Sequence, residues 1–228
     1  MSNILVPLKL TRQDGKVVDV TFYNNAGIDE VEILDIKKLK FEGTKVKDIT
    51  KSDIRDCVFC GNETLYLHNE QSNITAILPR KHLTKIISTI FSRDTESRTS
   101  YLKKEIIANI GIIFRSAIPI LKHPELKSKI LYDCQIVHRF AIPIKIGGLI
   151  FLVMITVKER TDYQKLSIEE FAIYDLYSEN QTNEKSLGSS STASVGINPM
   201  TTCSHYQAIT YSINDLIKFV NLNVTKYQ

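Results

Sequence analysis

The dipeptide Gly147-Gly148 most constrains what this chain can become, because it stands between two long runs rich in β-branched and apolar residues, Asp133–Ile146 and Leu149–Arg160. Two adjacent glycines supply the positive φ angles of the two-residue turns whose twist matches that of paired strands. The expected element is a long antiparallel hairpin from Asp133 to Arg160 with Ile146 opposite Leu149. Side chains then alternate strictly between two faces. One face carries Ile144 opposite Phe151, Ile142 opposite Val153 and Phe140 opposite Ile155, and ends in His138 opposite Val157 and Ile136 opposite Glu159. The other carries Lys145 opposite Ile150, Pro143 opposite Leu152, Ala141 opposite Met154, Arg139 opposite Thr156 and Val137 opposite Lys158.

Upstream, Thr64–His68 and Ile74–Leu78 read as two strands joined by the polar turn Asn69–Asn73. Pro79 opens an amphipathic helix, Arg80–Phe91, with Leu83, Ile86, Ile87 and Ile90 at three- and four-residue spacing. A longer helix is expected from Tyr101 to Ala117, apolar nearly all round and therefore deeply buried. Lys122–Tyr132 reads as irregular, and Phe171–Tyr177 as a further strand. The fold class that follows is α+β, with an antiparallel sheet built on the hairpin at 133–160 and covered by the preceding helices.

Around this core, residues 1–60 form an N-terminal extension that begins with a β-hairpin turning at Asp14-Gly15, and Thr50 offers a helix start. Residues 61–178 form the main α+β domain. The Ser-, Thr-, Asn- and Gly-rich stretch 179–203 reads as a flexible linker, and 204–228 as a C-terminal helical segment capped by Ser212. A net charge of +4 over 228 residues allows an anionic partner but falls short of a dedicated nucleic-acid-binding stripe. No secretion leader is read, and the apolar run Ile106–Leu121 is interrupted by Arg115 and Pro119 and is too short to span a membrane. The expectation is a cytoplasmic protein, in a bacterium or in a host cell after translocation. Cys57-Val58-Phe59-Cys60 lacks the second ligand pair that zinc requires, so neither metal nor cofactor is expected.

Two couples on the hairpin carry chemistry. His138 and Glu159 are diagonal neighbours, roughly 7 Å apart between backbones, and a carboxylate beside an imidazole makes a workable acid and base. The bland alternative is a core-edge histidine satisfied by a carboxylate. On the other face Arg139 and Lys158, with Thr156 beside them, suit phosphate oxygens; there the bland alternative is an ordinary solvated sheet face.

Read in order, Leu67–Gln71, Ala76–Ser88, Lys122-His123-Pro124, Val137–Phe140, Thr156–Glu159 and Ile173-Tyr174-Asp175 resemble domains of phage and mobile-element polyvalent proteins. These are similar to the predicted nucleases grouped with barnase, EndoU, colicin and RelE toxins. The resemblance runs over roughly 64–177 and rests on the order of short motifs. It implies an α+β fold and metal-independent RNA cleavage, as a toxin or effector whose partners are RNA and an inhibitor or host protein. Such cleavage needs a base, an acid and cations. His138, Glu159 and His123 are the candidates for proton transfer, with Arg139, Lys158, Thr156, Lys85 and Tyr174 as phosphate-binding or auxiliary groups. The alternative is a non-catalytic interaction module on the same fold. The register sets the nuclease reading a difficulty, since it places His138 and Glu159 on one face and Arg139 and Lys158 on the other. If helices cover the first face, the second holds the open site, with His123 reaching it from a loop.

Overall fold

The computed structural model describes residues 9–11, 15–25, 30–91, 97–126, 134–160, 165–178 and 210–225. In chain order the elements are β1 (Lys9–Thr11), β2 (Val17–Asp19), β3 (Thr21–Phe22), β4 (Glu30–Glu32), β5 (Leu34–Ile36), α1 (Lys51–Phe59), β6 (Thr64–Asn69), β7 (Ile74–Pro79), α2 (Arg80–Phe91), α3 (Arg98–Ala108), α4 (Ile110–Ser116), β8 (Ile118–Pro124), β9 (Cys134–Ile146), β10 (Leu149–Arg160), β11 (Lys165–Ser178), β12 (Thr210–Ser212) and α5 (Ile213–Thr225). The fold is α+β, and its main sheet is mostly antiparallel with strand order β3-β8-β9-β10-β11-β7-β6. Beyond the end of β8, the parallel strand β5 takes over the same edge of β9, pairing Leu34 with Ile144 and Ile36 with Ile146.

The hairpin has the register that the turn residues dictate, with Ile146 opposite Leu149, His138 opposite Val157 and a single irregularity between Glu159 and Arg160. Gly147 and Gly148 have φ of 55° and 78°. A Cβ added at Gly147 would stand 2.9 Å from Leu102 Cδ2, so the turn is also pressed against α3. The first face is core: Phe140, Ile142, Ile144, Phe151, Val153, Ile155 and Val157 pack against Leu83, Ile87, Ile106, Ile110 and Phe114 of the helices.

Three expectations need correction. The run Tyr101–Ala117 is two helices, because Asn109 turns its side-chain amide back onto the Glu105 carbonyl at 2.9 Å and adopts φ −101°, ψ 15°. An asparagine that competes for backbone partners in this way interrupts the helical ladder. Of the stretch Lys122–Tyr132, expected to be irregular, Lys122–Pro124 are instead the end of β8 (Ile118–Pro124), with Pro119 at a register shift and Pro124 as the last residue of the strand. Those are the places a sheet tolerates proline. The second hairpin face is not simply solvated either. Ala141, Leu152 and Met154 lie under a second core made with Leu10, Val20 and Val31 and with Ile213, Leu216, Ile217 and Val220 of α5.

The remaining expected elements are present where the chain is described. Thr50 caps α1 through a reciprocal capping box with Asp53, and Ser212 Oγ accepts the Asn214 N–H at the start of α5. Near the N-terminus, β1 pairs with β2, and β3 joins the main sheet beside β8. The last strand is longer than expected, Lys165–Ser178, with register shifts against β10 between Ile150 and Phe151 and between Thr156 and Val157. The linker expected at 179–203 lies outside the described residues.

Candidate functional site

At the end of the hairpin away from the turn, β8 lies beside β9 with Lys122 opposite His138. The chain enters β3 opposite β8, and the Tyr23 N–H binds the Ile120 carbonyl at 3.0 Å. This pairing carries the Tyr23 side chain across β8 to His138. Its hydroxyl meets Nδ1 of the imidazole at 2.5 Å, while Nε2 faces Glu159 Oε2 at 3.7 Å. A neutral ring that accepts from the phenol at Nδ1 carries its proton at Nε2, toward the carboxylate.

The electrostatics favour that protonation state. Burial holds the His138 pKa below the ordinary histidine value, and the nearby charge of Glu159 only partly offsets it. Burial, reinforced by Glu159, pushes the Tyr23 phenol up to about 12. The His138 residue is 7% exposed, whereas the Glu159 side chain is 40% exposed. Lys122 brings its ammonium within 5.9 Å of the Tyr23 ring centre. Four groups therefore meet here: a phenol, an imidazole, a carboxylate and an ammonium. The sequence pointed to His138 and Glu159 but not to Tyr23 or Lys122.

On the opposite face Arg139 donates to the Thr156 hydroxyl and approaches Glu170 Oε2 at 3.4 Å, and Thr156 itself donates to Glu170 at 3.2 Å. Lys158 is paired with Glu125. Burial alone would raise the Glu170 carboxyl, but the Arg139 and Lys158 charges together with the hydrogen bonds from Thr156 and Arg139 hold the group below the usual carboxylate range. His123 belongs to the same face. It is not an exposed loop residue but the sixth residue of β8, 2% exposed. Its Nδ1–H donates to the Pro124 carbonyl at 2.7 Å, and its Nε2 is buried with no hydrogen-bond partner among the described residues. Burial, helped by the Arg139 and Lys158 charges, drives its pKa down to about 4. The cations on this face are matched by carboxylates of the same chain.

The other expected site residues are dispersed. Lys85 is exposed and lines a 230 Å³ groove between α2 and β11 with Ile86, Glu169, Glu170 and Phe171. Tyr174 is half-buried against the second core. His123, Arg139, Thr156 and Lys158 are brought together, and so are His138 and Glu159, with the sheet between the two groups. Cys57 and Cys60 are free thiols at the C-terminal end of α1, and among the described residues no group of His, Cys, Asp and Glu is placed to hold a metal ion.

The fold is an α+β domain whose mostly antiparallel sheet packs against helices that precede its central hairpin. Residues 62–167 match the model of the family Large polyvalent protein-associated domain 3. The match supports a polyvalent-protein domain of the phage and mobile-element kind over that stretch, in line with the resemblance drawn from the motifs, and it does not extend to the nuclease likeness. No curated protein and no solved structure matches the chain. No helix among the described residues is long and apolar enough to cross a membrane.

Proposed function

We propose that this domain cleaves RNA by protein-supplied acid–base catalysis at the cluster of Tyr23, Lys122, His138 and Glu159. The observation that carries the reading is the His138 imidazole held between a phenol at 2.5 Å and a carboxylate at 3.7 Å, beside a lysine. In RNA the 2′-hydroxyl is itself the nucleophile, so the protein must take its proton, protonate the departing 5′-oxygen and balance charge on the phosphate. Glu159, the more exposed carboxylate, accepts the 2′-hydroxyl proton after swinging off Nε2. His138, in its protonated form, gives the Nε2 proton to the leaving oxygen. Lys122 offsets the developing charge, and Tyr23 fixes the orientation of the ring.

The test is purified protein incubated with total RNA in the presence of a chelator. Wild type is expected to yield fragments ending in 2′,3′-cyclic phosphate, with a loss of about 10²–10⁴-fold in His138→Ala and Glu159→Gln, the usual contribution of a positioned acid or base. Intact RNA with wild type across the mildly acidic and neutral range would end this reading.

A second reading, a non-catalytic interaction module that binds a protein partner or nucleic acid through the same fold, is favoured by the second face. There Arg139 and Lys158 are already engaged by Glu170 and Glu125, so the groups expected to hold phosphate are occupied by structural ion pairs. Stable binding of RNA or of a host protein with no cleavage in the same assay would select it.

A further inference from the structure

With Glu159 in place, neither nitrogen of His138 is presented to an incoming molecule. Nδ1 is bound by the Tyr23 hydroxyl, and Nε2 is buried and faces Glu159. The polar atom that the imidazole serves is therefore the phenolic oxygen. A hydroxyl on one ring nitrogen and a carboxylate facing the other is the arrangement of a nucleophile, its base and the group that orients the base. The geometry points to Tyr23 as a nucleophile that takes up a nucleic-acid phosphate as a covalent phosphotyrosine, with single-stranded DNA as a substrate alongside RNA. This inference shares His138 and Glu159 with the RNA-cleavage reading but replaces the 2′-hydroxyl with a protein oxygen, so the sugar need not carry one.

The step balances without a co-reactant. The Tyr23 hydroxyl passes its proton to Nδ1 of His138 as a lone pair on its oxygen forms the bond to phosphorus. The phosphorus–oxygen bond to the departing nucleoside breaks with its electron pair going to oxygen. That oxygen takes a proton from water on the far side, and the imidazolium returns its proton to the solvent. Glu159 stabilises the imidazolium during the transfer, and Lys122, beside the Tyr23 ring, stabilises the phosphate charge. Because burial and Glu159 keep the phenol protonated, attack requires the histidine rather than free phenolate. Water or another hydroxyl later releases the adduct. Tyr23 comes from outside the family-matched stretch 62–167, so the trait belongs to this chain's own N-terminal region.

The test uses the full chain, a chelator, and a single-stranded DNA oligonucleotide labelled at both ends, with RNA of the same sequence in parallel. After denaturation in SDS, a labelled protein band is expected, and peptide mass spectrometry is expected to place the nucleotidyl phosphate on Tyr23. Tyr23→Phe keeps the ring against His138 and should melt like wild type while forming no adduct. His138→Ala is expected to lower adduct formation at least 100-fold. No adduct from wild type with either nucleic acid overturns the inference, as does an adduct on another residue or one undiminished in Tyr23→Phe. RNA cleaved to cyclic phosphate with no protein adduct would leave the ribonuclease reading standing and overturn this one. An adduct on DNA with no cyclic phosphate from RNA would do the reverse.

Discussion

Acidification should unfold this protein partly through one residue, His123. The side chain sits in β8 at 2% exposure with a pKa lowered from 6.5 to about 4. In the unfolded chain the same imidazole titrates near 6.5. Between these values the unfolded state binds the proton and the folded state does not, so stability rises with pH. The contribution is fully present above pH 6.5 and is lost as pH falls toward 4. Linkage puts the loss at about 1.4 kcal/mol by pH 5.5 and about 3 kcal/mol by pH 4. Against a typical domain stability of about 5–15 kcal/mol that is a large fraction.

The comparison that isolates it is His123→Phe, which fills similar space with no titratable group. At neutral pH the variant loses the hydrogen bond to the Pro124 carbonyl and also the buried Nε2 that has no hydrogen-bond partner among the described residues, two effects of opposite sign and each about 1 kcal/mol. Urea unfolding at pH 7, 5.5 and 4 should show wild type losing about 3 kcal/mol more than the variant across the range. His138, whose pKa is also lowered, and Glu170 are present in both proteins and cancel in the difference. Parallel stability curves would refute the argument, since they would mean that His123 binds its proton equally well in both states.

Other expectations follow from single contacts. Asn69 is fully buried, donating to the Phe114 and Ala117 carbonyls at 2.6 and 2.7 Å and accepting from Ser72; Asn69→Leu should cost about 3 kcal/mol in chemical denaturation, and a loss below about 1 kcal/mol would contradict this account of the junction between β6 and α4. Glu105 accepts the Lys40 and Phe41 N–H groups at 2.7 Å each; Glu105→Gln places an amide donor against one of them and should cost about 2 kcal/mol, read as faster hydrogen exchange at those two amides. Gly147→Val combines a positive φ with a clash against Leu102 and should destabilise by about 2 kcal/mol in thermal melting. If His138 is the acid in RNA cleavage, its lowered pKa places the alkaline limb of the kcat/KM profile below pH 6.5; a limb above 7 would assign the acid to another group.

How far the fold could be read from the residues depended on whether each signal was local. The hairpin register was legible because two glycines impose the turn and strict alternation imposes the faces. The break at Asn109 was hidden inside an apolar run that looks like one helix, and only the side-chain bond to Glu105 reveals it. β8 was obscured by Pro119 and Pro124, which punctuate loops far more often than strands. The covering of the second face depended on α5 packing across the sheet against residues more than fifty positions earlier, a contact with no local signature.

The site divides in the same way. His138 and Glu159 share a hairpin, so their neighbourhood follows from counting, whereas Tyr23 reaches His138 through a strand of two residues paired with β8. The partner of Arg139, Glu170, also falls just past the family-matched stretch 62–167. On each face, then, a group from outside the matched stretch joins partners that lie within it: Tyr23 joins Glu159 at His138, and Glu170 joins Thr156 at Arg139. A fragment confined to 62–167 would leave Nδ1 of His138 without its phenol and Arg139 without Glu170. The protonation state of one and the charge balance of the other are thus properties of the whole chain and do not follow from the matched stretch 62–167 alone.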